Sequence, residues 1–205
     1  MLAGFTAGLL LISISELGDK TFLIAAIMAM RHSRRWVFIG SIAALATMTV
    51  LSVLMGQVAG LLPETYVRWA EILLFLGFGI KLLADSRFMS DKLNKEEECE
   101  AIEAVEKLEA TLHRPNGFAI ITQTFGLTMV AEWGDRTQFA TIALAAANHP
   151  LGVTAGAVLG HAICSMIAVV CGRMICGRLS ERKITAIGGG LFLLFAVISL
   201  ARWFT

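Results

Sequence analysis

Two short polar words stand inside apolar sequence, Glu16-Leu17-Gly18-Asp19-Lys20-Thr21 and Glu132-Trp133-Gly134-Asp135-Arg136-Thr137. Each brings two carboxylates three positions apart, a glycine between them, a cation and a hydroxyl. In a helix that spacing sets Glu16 beside Asp19 and Glu132 beside Asp135 on one face, so four acids converge where the two words meet. Carboxylates are hard donors suited to Ca²⁺, Mn²⁺ or Mg²⁺, and Thr21, Thr137 and Gln138 can add neutral oxygens. Neither word contains Cys or His, which argues against a soft Zn²⁺ or Cu⁺ site.

The four acids with Lys20 and Arg136 leave two net negative charges, which one divalent cation or two protons would neutralise. Mutual exclusion of cation and protons at shared carboxylates is a sufficient chemical basis for exchange of one for the other. Lys20 and Arg136 would hold the acids in place and limit the charge, while Gly18 and Gly134 would let the backbone bend or unwind and expose carbonyls. The plainer reading is structural. Glu16 with Lys20, and Glu132 with Arg136, have the favourable i,i+4 sense of a helical ion pair. Six charges at membrane depth cost on the order of 15 kcal/mol before pairing, and pairing still leaves two acids over, so a functional site is preferred.

The elements that must position these words are membrane spans. Of 205 residues 57% are hydrophobic and 16% charged, with a mean hydropathy of +0.74, well above an ordinary soluble domain. A span needs roughly 20 mostly apolar residues, and six are expected: Phe5 to Met30, Trp36 to Leu62, Val67 to Ala84, Gly117 to Ala147, Leu151 to Ile175 and Ile184 to Phe204. The first and fourth exceed the bilayer thickness as continuous helices, so tilt or a break at Gly18 and Gly134 is expected. The first is read as a retained helix, since it lacks a basic leader and carries Glu16 and Asp19 in its core.

Basic residues set the orientation. Arg31, Arg34 and Arg35 follow the first span; Arg87, Lys92, Lys95, Lys107 and Arg114 follow the third; Arg178, Arg182 and Lys183 follow the fifth; the other side has little beyond Arg68 and Arg202. Both termini are therefore expected on the non-cytoplasmic side.

An offset of 116 residues maps the first word onto the second, and also Gly40 onto Gly156 and Gly56 onto Gly172. Three spans per half make the second copy enter from the opposite side. The expected fold is thus an all-α integral membrane protein, six transmembrane helices as two inverted three-helix repeats, with residues 1–84 and 117–205 as the repeats and 85–116 as an acidic cytoplasmic linker. Transporters of that architecture hold substrate at the midplane between discontinuous helices.

The linker has nine acidic residues against five basic. Glu96, Glu97, Glu98, Glu100, Glu103, Glu106 and Glu109 accompany Ile102, Val105, Leu108 and Leu112 at helical spacing, and a solvated linker helix is expected rather than a cation sensor. Gly152, Gly156 and Gly160, echoed by Gly40 and Ala44, allow close helix contact, within the monomer in preference to a homodimer interface. His161 could relay protons, but a hydrogen-bonded structural histidine is the preferred reading. Cys99, Cys164, Cys171 and Cys176 suggest packing rather than disulfides or a metal site.

Taken together, the paired E-x-G-D-[KR]-T words, the two groups of three spans and the acidic loop resemble the Gdt-type cation transporter family, which includes MneA-like manganese exporters and Golgi and chloroplast relatives. The resemblance covers nearly the whole chain. It implies Mn²⁺ or Ca²⁺ transport in exchange for protons, with Glu16, Asp19, Glu132 and Asp135 as ligands. Mn²⁺ is favoured because the chain looks prokaryotic, being short and without a targeting extension. A bacterial inner membrane is therefore expected, with a thylakoid or other organelle membrane as the alternative.

The expected function is export of the cation by alternating access, with the metal and protons as substrates, the bilayer as surroundings, and no cofactor or nucleic-acid partner. A passive divalent-cation channel is the nearest alternative. An intramembrane aspartyl protease is disfavoured, because Leu17 and Trp133 stand where a G-x-G-D word needs its first glycine and an adjacent cation opposes proton sharing between aspartates; no enzymatic activity is expected.

Overall fold

Both polar words break a helix. In the computed structural model, which describes residues 1–88, 99–107, 116–175 and 181–203, α1 (Leu2–Ser15) stops at the first word and α2 (Lys20–Arg31) starts within it. In the same way α6 (Gly117–Glu132) gives way to α7 (Arg136–Ala147). The longer helices are α3 (Arg34–Ala59), α4 (Glu64–Phe88), α8 (Pro150–Ile175) and α9 (Glu181–Ala201), and the linker contributes a helical segment, α5, over 99–107. No strand occurs among the described residues.

The break has one form in both places. The Asp19 N–H donates to the Glu16 carbonyl at 3.3 Å and the Asp135 N–H to the Glu132 carbonyl at 3.1 Å, closing a short turn. Gly18 and Gly134 sit at φ 78° and 82° inside these turns. That left-handed region is open to glycine and strained for other residues. Asp19 and Asp135 then cap α2 and α7 with extended backbone. The break also accounts for the length of the two apolar runs: α1 and α2, of 14 and 12 residues, rise about 21 and 18 Å at 1.5 Å per residue, so neither half-helix spans alone.

Among the described residues three helices are long and apolar enough to cross a membrane, Arg34–Ala59, Pro150–Cys171 and Arg182–Ala201. Their outward residues include Val50, Leu54, Met55, Leu159, Ile163, Met166, Leu194 and Val197, all exposed in the isolated chain, as expected of a surface that meets lipid. The molecule is an all-α membrane protein. α4, one residue shorter than α3, carries Glu64, Arg68, Glu71, Lys81, Asp85 and Arg87. It runs past Ala84 because no Gly or Pro stops it there.

Packing follows small residues. On α8, Gly152, Val153, Gly156, Ala157, Gly160 and His161 form one buried stripe, and on α3 Val37, Gly40, Ser41, Ala44 and Leu45 form another. The offset of 116 carries one stripe onto the other. A Cβ at Gly156 would lie 2.1 Å from the Phe5 carbonyl on α1, and a Cβ at Gly40 would lie 2.7 Å from the Ile121 carbonyl on α6. The glycines thus seat each first half-helix against the long helix of the other half, contacts within the chain as their spacing predicts. α2 and α7 pack on the same long helices, α8 and α3.

Around α2, Phe22 to Ala29 are buried together with Val37, Ile120, Ala168 and Val169. Around α7, Ala140, Leu144 and Ala145 join Leu11, Val53, Phe75, Val153 and Phe192 in a second core. α4 and α9 pair with one another and lean on α7 and α1.

The linker segment departs from a solvated helix. Ala101 and Val105 are fully buried in the α2 core, while Glu100 binds Lys20 at 2.8 Å and Glu106 binds Arg31 at 3.2 Å. An apolar stripe on a short helix gains more by covering α2 than by facing water. Glu103 instead faces solvent and pairs with Lys107, which lowers its pKa through their hydrogen bond. The other positions expected on this helix, Glu96, Glu97, Glu98, Leu108, Glu109 and Leu112, lie outside the described residues, as does Cys176. Cys99, Cys164 and Cys171 are free thiols.

Candidate functional site

The two turns come together. Carboxylate oxygens of Glu16, Glu132 and Asp135 lie within 4.8 Å of one another. Glu16 and Glu132 are buried, 2% and 3% exposed. Glu16 comes from the end of α1, Glu132 from the end of α6, and Asp135 from the cap of α7, so the trio exists only because both helices stop here.

Each glutamate is oriented by the threonine that follows its turn. Thr21 Oγ1 donates to Glu16 Oε2 at 3.1 Å. Thr137 Oγ1 lies 3.3 Å from Glu132 Oε2 and 3.1 Å from Asp135 Oδ2. Asp135 Oδ2 also accepts the Thr137 N–H at 3.2 Å, capping α7. Gln138 turns back to its own loop, its Oε1 accepting the Gly134 N–H at 2.7 Å. This satisfies the backbone of the break and directs that oxygen to the loop.

Three sequence expectations change here. The acids of each word do not share a helical face, because the left-handed glycine separates a helix end from the next helix start; proximity comes from the turn and from the other half. Asp19 does not join the trio, because its Oδ1 accepts from Arg136 Nη2 at 3.1 Å. The i,i+4 pairs are replaced as well. Arg136 reaches across to Asp19 and, at 3.4 Å, to the Ser15 carbonyl, and Lys20 turns outward to Glu100. Equivalent cations in the two words thus have different partners, one inside the site and one on the linker.

The arrangement offers three acids, two hydroxyls and the carbonyl ends of α1 and α6, with one guanidinium beside them. Helix ends that converge in a membrane are a recurrent means of holding ions, with carbonyl termini facing the cation. A cavity of about 100 Å³ lies against Ser15, Gly18, Asp19 and Arg136 and is bounded by Leu82, Asp85, Ile184, Thr185 and Gly188. It joins the first turn to the end of the molecule where α4 finishes and α9 begins.

Several residues at the site carry no signal in the polar words. His161 of α8 is 5% exposed, with its Nδ1 3.9 Å from Glu16 Oε1 and no hydrogen-bond partner there, so the expected hydrogen-bonded structural role is not found at that nitrogen. Ser41 and Thr128 are buried hydroxyls of α3 and α6 beside Glu16, each in a helix where a serine or threonine attracts no notice. Glu71 had a signal, an acid inside the third span. It is 6% exposed and lines a separate cavity of about 390 Å³ with Glu64, Arg68, Ser199 and Arg202. Arg68 there pairs with Glu64 and donates to the Arg202 carbonyl at 2.9 Å.

Comparison with known proteins identifies the family. The sequence model described as divalent cation/proton antiporter GDT1 matches residues 4–90 and 120–205, leaving out the first three residues and 91–119, most of the linker. The chain is 56% identical over 206 residues to GDT1-like protein sll0615 of Synechocystis sp., covering 100% of this chain and 98% of that protein. It is 43% identical over 202 residues to GDT1-like protein 3 of Oryza sativa subsp. indica, covering 94% of this chain and 72% of the other. With the chloroplastic GDT1-like protein 2 of Oryza sativa subsp. japonica the identity is 41% over 210 residues, 95% of this chain, which spans 60% of that protein. No solved structure matches the chain. The matched residues include both polar words and every long helix, and the chain belongs to the GDT1 family of divalent cation/proton antiporters.

Proposed function

We propose that this chain exports Mn²⁺ in exchange for protons by alternating access, with Glu16, Glu132 and Asp135 as the principal ligands and Asp19 as a fourth acid released from Arg136 during the cycle. The observation that carries this reading is the buried trio of acids within 4.8 Å at two helix breaks. With Arg136 spent on Asp19 and Lys20 on Glu100, the trio carries three negative charges, so a divalent cation with one proton, or three protons, neutralise the site, and metal and two protons displace one another.

In this reading the two halves are inverted repeats, the basic loops are cytoplasmic and both termini lie on the other side. Thr21 and Thr137 fix the glutamates and add oxygens, Gly18 and Gly134 provide the turns, and Lys20 tunes the first word through the linker. The position of α4 and α9 supports alternating access. They lean on α7 and α1, whereas the counterpart contacts under the repeat, α9 on α2 and α4 on α6, are not made to a comparable extent among the described residues. Exchange of one set for the other opens the site to the opposite side, where protons compete the metal off.

The test is metal flux in sealed proteoliposomes under an imposed pH gradient, comparing Mn²⁺, Ca²⁺ and Mg²⁺. Gradient-driven Mn²⁺ flux, lost in both Glu16→Gln and Asp135→Asn, is expected. Flux indifferent to the gradient would assign a channel instead, and no flux of any ion would sink the proposal.

A further inference from the structure

Beside the acid trio lies a second, smaller polar cavity, about 10 Å³, lined by Glu16, Thr21, Ser41, Thr128, His161, Cys164 and Ser165 together with Phe22 and Leu45. Its size is that of one water molecule or one bare ion. Four of its lining residues present buried polar atoms with no hydrogen-bond partner: Glu16 Oε1, Ser41 Oγ, Thr128 Oγ1 and His161 Nδ1. These residues are 2%, 1%, 1% and 5% exposed and come from α1, α3, α6 and α8. A single unpaired buried polar atom needs an explanation; four around one void of this size describe a site for something that all four can bind.

Glu16 is divided between the two places. Its Oε2 accepts from Thr21, while its Oε1 stands 3.9 Å from His161 Nδ1. A cation about 2.1 to 2.2 Å from each atom fits between a carboxylate oxygen and an imidazole nitrogen at that separation. The donor set is one carboxylate, one imidazole and two hydroxyls. Ca²⁺ takes six to eight oxygens and Mg²⁺ keeps much of its water, so neither suits a void this small with a nitrogen in its wall. First-row transition divalents accept imidazole more readily than Ca²⁺ or Mg²⁺ do, and Mn²⁺ is the weakest of them in the Irving–Williams order, so the nitrogen separates Mn²⁺ from Ca²⁺ and leaves later transition metals as competitors.

We propose that this cavity is a second, inner cation position, in which His161 Nδ1 and Glu16 Oε1 bind dehydrated Mn²⁺ with Ser41 and Thr128, and that it is the element selecting Mn²⁺ over Ca²⁺. It rests on the reading of the acid trio as a cation site, and Glu16, common to both, passes the ion between them. The absence of Cys and His from the polar words describes only the local sequence; the fold supplies the nitrogen from α8.

Pulsed electron paramagnetic resonance of Mn²⁺ added to the purified full-length chain in detergent reads the ligand atoms directly. Modulation from a coordinated imidazole nitrogen is expected in the wild type and absent in His161→Gln. That substitution should weaken Mn²⁺ binding about tenfold while changing Ca²⁺ binding less than about twofold. Bound Mn²⁺ without nitrogen coupling, or coupling that persists in His161→Gln, overturns the inner position and leaves the acid trio standing. No Mn²⁺ bound to the wild type overturns both. If His161→Gln does not fold, Ser41→Ala and Thr128→Val replace it: reduced Mn²⁺ affinity with Ca²⁺ affinity retained supports the site, and unchanged Mn²⁺ affinity in both removes it.

Discussion

Arg136 Nη2 lies 3.1 Å from Asp19 Oδ1, so the cation of the second polar word neutralises an acid of the first. The side chains are 27% and 16% exposed, shielded enough for the pair to matter. Arg136→Gln adds a free carboxylate beside the trio and should tighten divalent cation binding about tenfold, near 1.4 kcal/mol, while slowing turnover because release is harder. Arg136→Lys should fall between. Equilibrium metal titration alongside flux checks both parts, and weaker binding in Arg136→Gln would contradict them.

Lys20 is the sequence counterpart of Arg136 but binds Glu100 at 2.8 Å, and these side chains are 39% and 63% exposed. Exposed pairs contribute about 0 to 1 kcal/mol, so Lys20→Gln should change metal affinity less than threefold. Equal effects from Lys20→Gln and Arg136→Gln would contradict the asymmetry.

Docking of the linker depends instead on its apolar face. Val105 is fully buried against α2. Val105→Asp puts an unpaired charge in that contact and should release the segment, a change of about 3 kcal/mol or more. Hydrogen exchange of residues 99–107 should then approach the unprotected rate, whereas Glu103→Gln should leave their protection unchanged.

Gly134 has open space around a hypothetical Cβ, with nothing within 4 Å, and φ 82°. Gly134→Ala therefore tests the backbone alone. It should cost about 1 to 2 kcal/mol and lower transport without altering helix packing. A thermal melt with an unchanged midpoint would show the turn to be unstrained.

Gly156 and Gly126 make the opposite comparison. A Cβ at Gly156 falls 2.1 Å from a backbone oxygen of α1, while one at Gly126 meets nothing within 4 Å. Gly156→Ala should displace α1 from α8 and lose at least about 1 to 3 kcal/mol, and Gly126→Ala should be neutral or slightly stabilising. The monodisperse fraction in detergent after heating separates the two.

Much was determined by sequence alone. Membrane character follows from composition, runs too long for the bilayer with a glycine among charges called for tilt or a break, of which the structure shows the break, and glycines at every fourth position of α8 called for close contact with a motif helix. These are local or periodic properties, readable without knowing neighbours. Tertiary structure decided what depends on distant partners. It brought Glu16, Glu132 and Asp135 together and assigned Asp19 to Arg136. It sent Lys20 to the linker and buried Ala101 and Val105 on α2. It also delivered His161, Ser41 and Thr128 to the first turn. A histidine or hydroxyl inside an apolar helix has no distinguishing sequence context; its role arises from which helix faces it, and that is fixed only when the long helices pack against the broken ones.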